Sequence, residues 1–251
     1  MNKLEETKEP EIKVENEHVH RLFVKDQPKK TFHMFISDFD ACEHEIDELI
    51  NQMSQATPND ELIIDISSPG GYTVDLMRVE NTIREYFYGR TTTKMNPHGY
   101  SCGALIFLFG DERIVFENSE AMFHDISAVV GGKRSDMLTE MEHSKKYWDH
   151  YIRRTLAPFF SKKEIDSLFQ GKEIWVDALE MCKRGIATAV CIFGNTVPAD
   201  WYIKYCEDTK HRKEMIETLY ESRQNLSKKD EDFLVYEYNR LFDKSKSKSK
   251  K

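Results

Sequence analysis

From Glu61 the chain reads ELIIDISSPGGYTVD, and this stretch constrains the fold more than any other. ELIIDI is too short for a buried helix and apolar enough for a buried strand. A proline and two glycines end it. Beyond them Val74, Met77, Val79, Ile83 and Phe87 recur at near-helical spacing, which predicts a helix from Thr73 to about Tyr88. A strand that passes through paired glycines into a helix is half of a β-α-β unit, the building block of an α/β sheet with right-handed crossovers.

The flanking segments repeat the alternation. Phe32 to Ile36 reads as a strand, Glu43 to Met53 as an amphipathic helix, Thr91 to Met95 as a strand and Asn96 to Tyr100 as a turn. Ser101 to Phe109 opens an apolar helix, and short strands follow at Arg113 to Phe116 and Ala121 to His124. A long helix is expected from Ser135, its N-cap, to Leu156. Ser161 with Glu164 spells a capping box. Asp177 is expected to cap a further helix that Gly185 ends. Beyond Pro198 the chain is charged and helical, broken near Asn225 to Ser227, and it closes on the basic run KSKSKSKK.

Composition excludes several function classes. A formal net charge of −8 argues against nucleic acid as the main partner, because binding phosphates needs a basic face. The longest apolar run, Ala104 to Phe109, is far too short for a membrane span, and the start has no apolar signal core, so a cytoplasmic protein with no membrane partner is expected. The cysteines (Cys42, Cys102, Cys182, Cys191, Cys206) are scattered without CxxC spacing, which fits a reducing compartment and neither a disulfide framework nor a zinc site. His18 and His20 have no third ligand at useful spacing.

Three segments carry groups suited to catalysis. Gly70 and Gly71 allow positive φ and close approach, so they serve either a plain turn or a loop that points the Gly71 amide at developing negative charge. Ser101 follows a turn and opens a helix. It is either an ordinary N-cap or a nucleophile with the amides of Cys102 and Gly103 beside it. His124 ends an apolar strand and is either a structural histidine or a general base. His98 is the rival base, but it lies too near Ser101 in sequence to face the hydroxyl.

The order SSPGG, YSCGA, MFHDI, a long helix and KEIWVDALEMCKRGIA resembles the Clp protease proteolytic subunit family, most closely its phage-type members, over roughly residues 31 to 192. The resemblance implies a ClpP/crotonase-like α/β fold of stacked β-β-α units, with a protruding handle helix and here a C-terminal helical extension. It implies a serine endopeptidase with Ser101 as nucleophile, His124 as base and the amides of Gly71 and Cys102 as oxyanion donors, with Gly70 and Tyr100 beside the substrate. Counting back from Gly185 makes Glu173, two residues before Trp175, the third member of the triad. Asp125 and Asp177 remain alternative carboxylates. No metal or cofactor is called for.

The expected organisation is a mobile charged arm over 1–28, the protease domain over 29–195, the helical extension over 196–243 and a basic tail over 244–251. Expected partners are protein or peptide substrates and further copies of the chain, in a heptameric ring or stacked rings joined through the handle helix. An AAA+ unfoldase is a further partner only if the chain can dock one, since the arm lacks the family's axial-gate motif. The competing functions are a catalytically inactive assembly protein of the same fold, for example in phage head morphogenesis, and an acyl-CoA enzyme of the crotonase type. The latter has no use for a Ser-His pair.

Overall fold

The computed structural model describes residues 20–25, 29–37, 39, 43–221, 223 and 226–242. Strands β1 (His20–Lys25), β2 (Thr31–Ile36), β3 (Glu61–Ser68), β4 (Thr91–Tyr100) and β5 (Glu112–Phe116) lie side by side. They continue into β8 (Ala189–Ile192) and β9 (Asn195–Pro198). From β2 through β8 the pairs are parallel, with antiparallel β1 and β9 closing the two edges. Helices α1 (Glu43–Met53), α2 (Thr73–Tyr86) and α3 (Cys102–Phe107) make the crossovers. The mixed α/β architecture read from the strand–glycine–helix pattern is the one observed.

Burial explains the choices. Leu62, Ile64, Ile66 and Ser68 alternate inward along β3, and Ile46, Leu49 and Met53 of α1 join Leu76, Val79 and Ile83 of α2 in one core. Phe32 and Phe87 meet edge-on at 5.2 Å beneath them.

Strand β4 runs five residues past its expected end at Met95, through the stretch read as a turn. Proline usually ends a central strand because it donates no ladder hydrogen bond. Here β4 pairs β5 through Thr92–Met95 and β6 (Glu120–Phe123) through His98–Tyr100, so Pro97 falls in the gap between its two partners. On the other side the register jumps from Ile66↔Met95 to Ser68↔Gly99, a bulge that absorbs the intervening residues. Antiparallel to β6 lies β7 (Ile174–Asp177), and β6 and β7 branch off the main path of the same sheet at the end of β4.

Helix α4 (Arg134–Leu156) buries Trp148, Tyr151, Ile152 and Leu156, whereas its first half stands in solvent with Leu138 and Met141 exposed. Ser135 is not its cap. Lys133 holds the N-cap position, and the Ser135 hydroxyl turns to the Asp136 carboxylate at 3.1 Å. The Ser161 capping box forms as read at the start of α5 (Lys162–Leu168), as does the Asp177 cap of α6 (Ala178–Lys183).

Within the segment expected to be a mobile arm, His20–Lys25 pairs in register with β2. Its Leu22-Phe23-Val24 run suits a strand. Residues 1–19 and 26–28 of that arm, and the basic tail, lie outside the described residues. Helices α7 (Ala199–Glu207), α8 (Thr209–Glu221) and α9 (Lys228–Phe242) bury Tyr202, Tyr205, Met215, Ile216 and Leu234 in a cluster continuous with the main core.

Candidate active site

Ser101 is the single residue between β4 and α3, with φ 54° and ψ −121°. A non-glycine residue there costs on the order of 1–3 kcal/mol and persists only where its surroundings dictate it. It occupies the N-cap position but makes no side-chain capping bond. Its backbone is fixed instead: its N–H donates to Met122 O at 2.9 Å, and its own carbonyl accepts from Ala104 and Leu105, both at 3.0 Å. Glycines flank it where a side chain would press on backbone. A Cβ on Gly99 would lie 3.0 Å from Gly103 O, and one on Gly103 would lie 2.8 Å from Ser68 O. Residues 99–103 spell G-x-S-x-G on a strand–turn–helix, the nucleophile-elbow pattern, a sequence signal beyond the turn-and-helix reading of Ser101.

The glycine pair after β3 closes on this elbow. A Cβ on Gly70 (φ 120°) would sit 2.7 Å from Ser101 Cβ, and one on Gly71 (φ 132°) only 2.5 Å from the Phe39 carbonyl carbon. Phe39 N–H donates to Gly70 O at 2.8 Å, and Tyr72 N–H donates to Phe39 O at 3.1 Å. The Gly71 N–H takes no part in that bridge. Because a trans peptide points N–H and C=O oppositely, the bond at Gly70 O directs the Gly71 N–H away from Phe39. The Cys102 thiol donates to Gly71 O at 3.2 Å and ties the loop to the first residue of α3.

Half-buried His124 follows β6. With Ser101, Thr73, Leu105 and Ile152 it lines a cavity of about 20 Å³, room for about one water. Among the described residues no hydrogen bond joins Ser101 to His124 or His124 to a carboxylate. Catalytic contacts are often long without substrate and tighten when it binds.

Three carboxylates compete as His124's partner. Glu173 lies one step beyond the last ladder pair, Phe123↔Ile174, where the antiparallel register sets residue 173 opposite residue 124. Its Oε2 accepts from Trp175 Nε1 at 2.9 Å. Asp125 lines the same cavity, but its Oδ1 accepts from the Ile126 N–H at 2.9 Å. Asp177 pairs with Glu120, four residues back from His124, which is roughly 13 Å along the strand. It is also occupied as a cap, accepting from Glu180 N–H at 2.8 Å.

Tyr100, one residue before Ser101, ends β4. Its hydroxyl donates to Glu120 at 2.9 Å, and burial together with that carboxylate pushes its phenol up. Its ring stacks on the rival base His98 at 4.9 Å and meets Trp175 edge-on at 5.2 Å. Among the described residues, no group of three or more His, Cys, Asp or Glu is placed to hold a metal ion. Nor is any helix there long and apolar enough to cross a membrane.

The family model for Clp protease matches residues 26–192, well over half of the chain. The chain belongs to the Clp protease family. The match takes in the Gly70–Gly71 loop, the elbow, His124 and Glu173, and it ends at the last residue of β8. Membership makes the chain a ClpP-like peptidase in general, in a family of soluble serine peptidases whose members usually form ring oligomers. Helices α7–α9 follow the matched region.

Proposed function

We propose that this Clp protease family member is an active serine endopeptidase that uses Ser101, His124 and Glu173. The observation that carries the reading is the backbone of Ser101. A serine held at φ 54° in an N-cap position, without capping, leaves its hydroxyl uncommitted beside His124. Structural serines at helix starts adopt extended backbone angles and accept a helix N–H at their side-chain oxygen.

In the proposed reaction His124 takes the Ser101 proton as Oγ attacks the peptide carbonyl, and Glu173 orients the imidazole and steadies the imidazolium. The amides of Gly71 and Cys102 stabilise the tetrahedral oxyanion, each worth on the order of 10²–10³ in rate. His124 then protonates the leaving amine, and water attacks the acyl-enzyme by the same route in reverse. Gly70 and Tyr100 border the substrate. The ring assembly that the family favours would enclose such sites in a chamber, and the half-exposed α4 is the element suited to join copies. A cytoplasmic setting, a phage origin and an unfoldase partner belong to the same proposal.

One observation favours a second reading, an inactive assembly protein: the missing hydrogen bonds from His124 to both Ser101 and Glu173. A fluorophosphonate probe separates the two. The active reading expects stoichiometric labelling of Ser101 that is lost in Ser101→Ala and falls at least a hundredfold in rate in His124→Ala, on the order of a missing general base. Absence of labelling in the folded wild-type chain would leave the assembly role.

A further inference from the structure

We propose that Trp175 is a positioning residue for this site, its indole N–H holding one carboxylate oxygen of Glu173 so that the other faces His124. The inference rests on the triad proposed above and deepens it.

Glu173 is exposed and sits just before β7, where no backbone ladder fixes it. A glutamate so placed has three rotatable side-chain bonds and would spread its carboxylate over many positions. Serving one imidazole requires a single one. The bond from Trp175 Nε1 to Oε2, at 2.9 Å, supplies that constraint. The spacing suits it, because extended backbone continued one residue before β7 sets residue 173 on the face of Trp175. A carboxylate accepts at both oxygens, so the indole leaves Oε1 for a ring N–H of His124, the residue opposite when the ladder is continued one step past Phe123↔Ile174.

The indole is itself fixed from outside the triad. Tyr100, Met122 and Trp175 share one row across β4, β6 and β7. In that row the Tyr100 ring abuts Trp175 edge-on at 5.2 Å, while its hydroxyl is anchored on Glu120 and its other side stacks on His98. A half-exposed tryptophan held in this way buries little area for the core. Its one distinctive group is the N–H donor, and that donor is used on Glu173.

The test is a double-mutant cycle on the purified full chain, reading kcat and KM with a short chromogenic peptide across pH. Trp175→Phe keeps an aromatic ring against Tyr100 and removes the donor. The expected result is a fall in kcat on the order of tenfold or more, KM within about twofold, an unchanged melting temperature, and no further fall when Trp175→Phe is added to Glu173→Gln. If Glu173→Gln cuts kcat while Trp175→Phe matches wild type, the proposal is overturned and the triad stands. An equal fall from Trp175→Phe in both backgrounds also overturns it, because the indole would then act through substrate or fold. If Glu173→Gln is itself silent, the triad assignment fails and the proposal with it. Should Trp175→Phe not fold, Trp175→Leu takes its place in the cycle.

Discussion

Ser101 keeps its unfavourable backbone because every neighbour that could relax it is absent or fixed. Gly99 and Gly103 give the elbow room, Gly70 lets the β3 loop lie against the serine, and Met122 O holds its amide. Gly103 is exacting for its surroundings alone, with no positive φ involved. An added methyl would meet Ser68 O at 2.8 Å and Ser68 Cβ at 3.0 Å, both on a buried central strand that cannot give way. Gly103→Ala is expected to cost about 1–3 kcal/mol from overpacking. It should also slow fluorophosphonate labelling by more than the lost stability explains, because α3 must shift and carry Ser101 with it. Thermal melting and the labelling rate, measured on one sample, check this. Gly131→Ala is the control, since a Cβ there meets nothing within 4 Å.

The elements around the site are tied by local signals of unequal strength. In the α5 capping box, Glu164 Oε2 accepts from the Ser161 hydroxyl at 2.6 Å and the Ser161 N–H at 2.8 Å, while Oε1 accepts from Arg184 at 2.9 Å. The Ser161 bonds first, and then Arg184, hold the Glu164 carboxyl down at about 2, against an ordinary 4.5. Since the folded state favours the ionised form, this stability is fully present above pH 4.5 and is lost as pH falls toward 2. Glu164→Gln should therefore lower the urea midpoint at pH 7, with the gap to wild type narrowing at pH 3. Such a box is legible in sequence because its partners are three residues apart, and α1 and β3 were legible through their own periodicity. The course of β4 past Pro97 was not, because it depends on two partner strands that leave a gap at the proline. Ser101 and His124 could be proposed from order and spacing, but the contacts around them could not. Trp175 meets Tyr100 only after three strands have been laid side by side.

At the scale of the whole molecule, the charged C-terminal text reads as an appendage because sequence shows each helix's apolar face and not what that face covers. In the structure α7–α9 complete the core at the β8–β9 edge. Phe193, at φ 51°, meets Tyr205 at 6.2 Å and Phe233 at 5.5 Å, and Leu234 and Ile216 are fully buried. Removing residues 199–251 would expose Ile192 and Phe193 to water, so truncation would perturb the catalytic body along with the helices. A point substitution reports more cleanly. Leu234→Ala is expected to cost about 2–5 kcal/mol as a cavity in a closed core. If α9 belongs to the same cooperative unit as the sheet, calorimetry will show one transition moved to lower temperature, with Ser101 labelling lost across that same transition. A separate, earlier melt of the helices, with labelling retained beyond it, would instead make α7–α9 an independent module beside the Clp protease body.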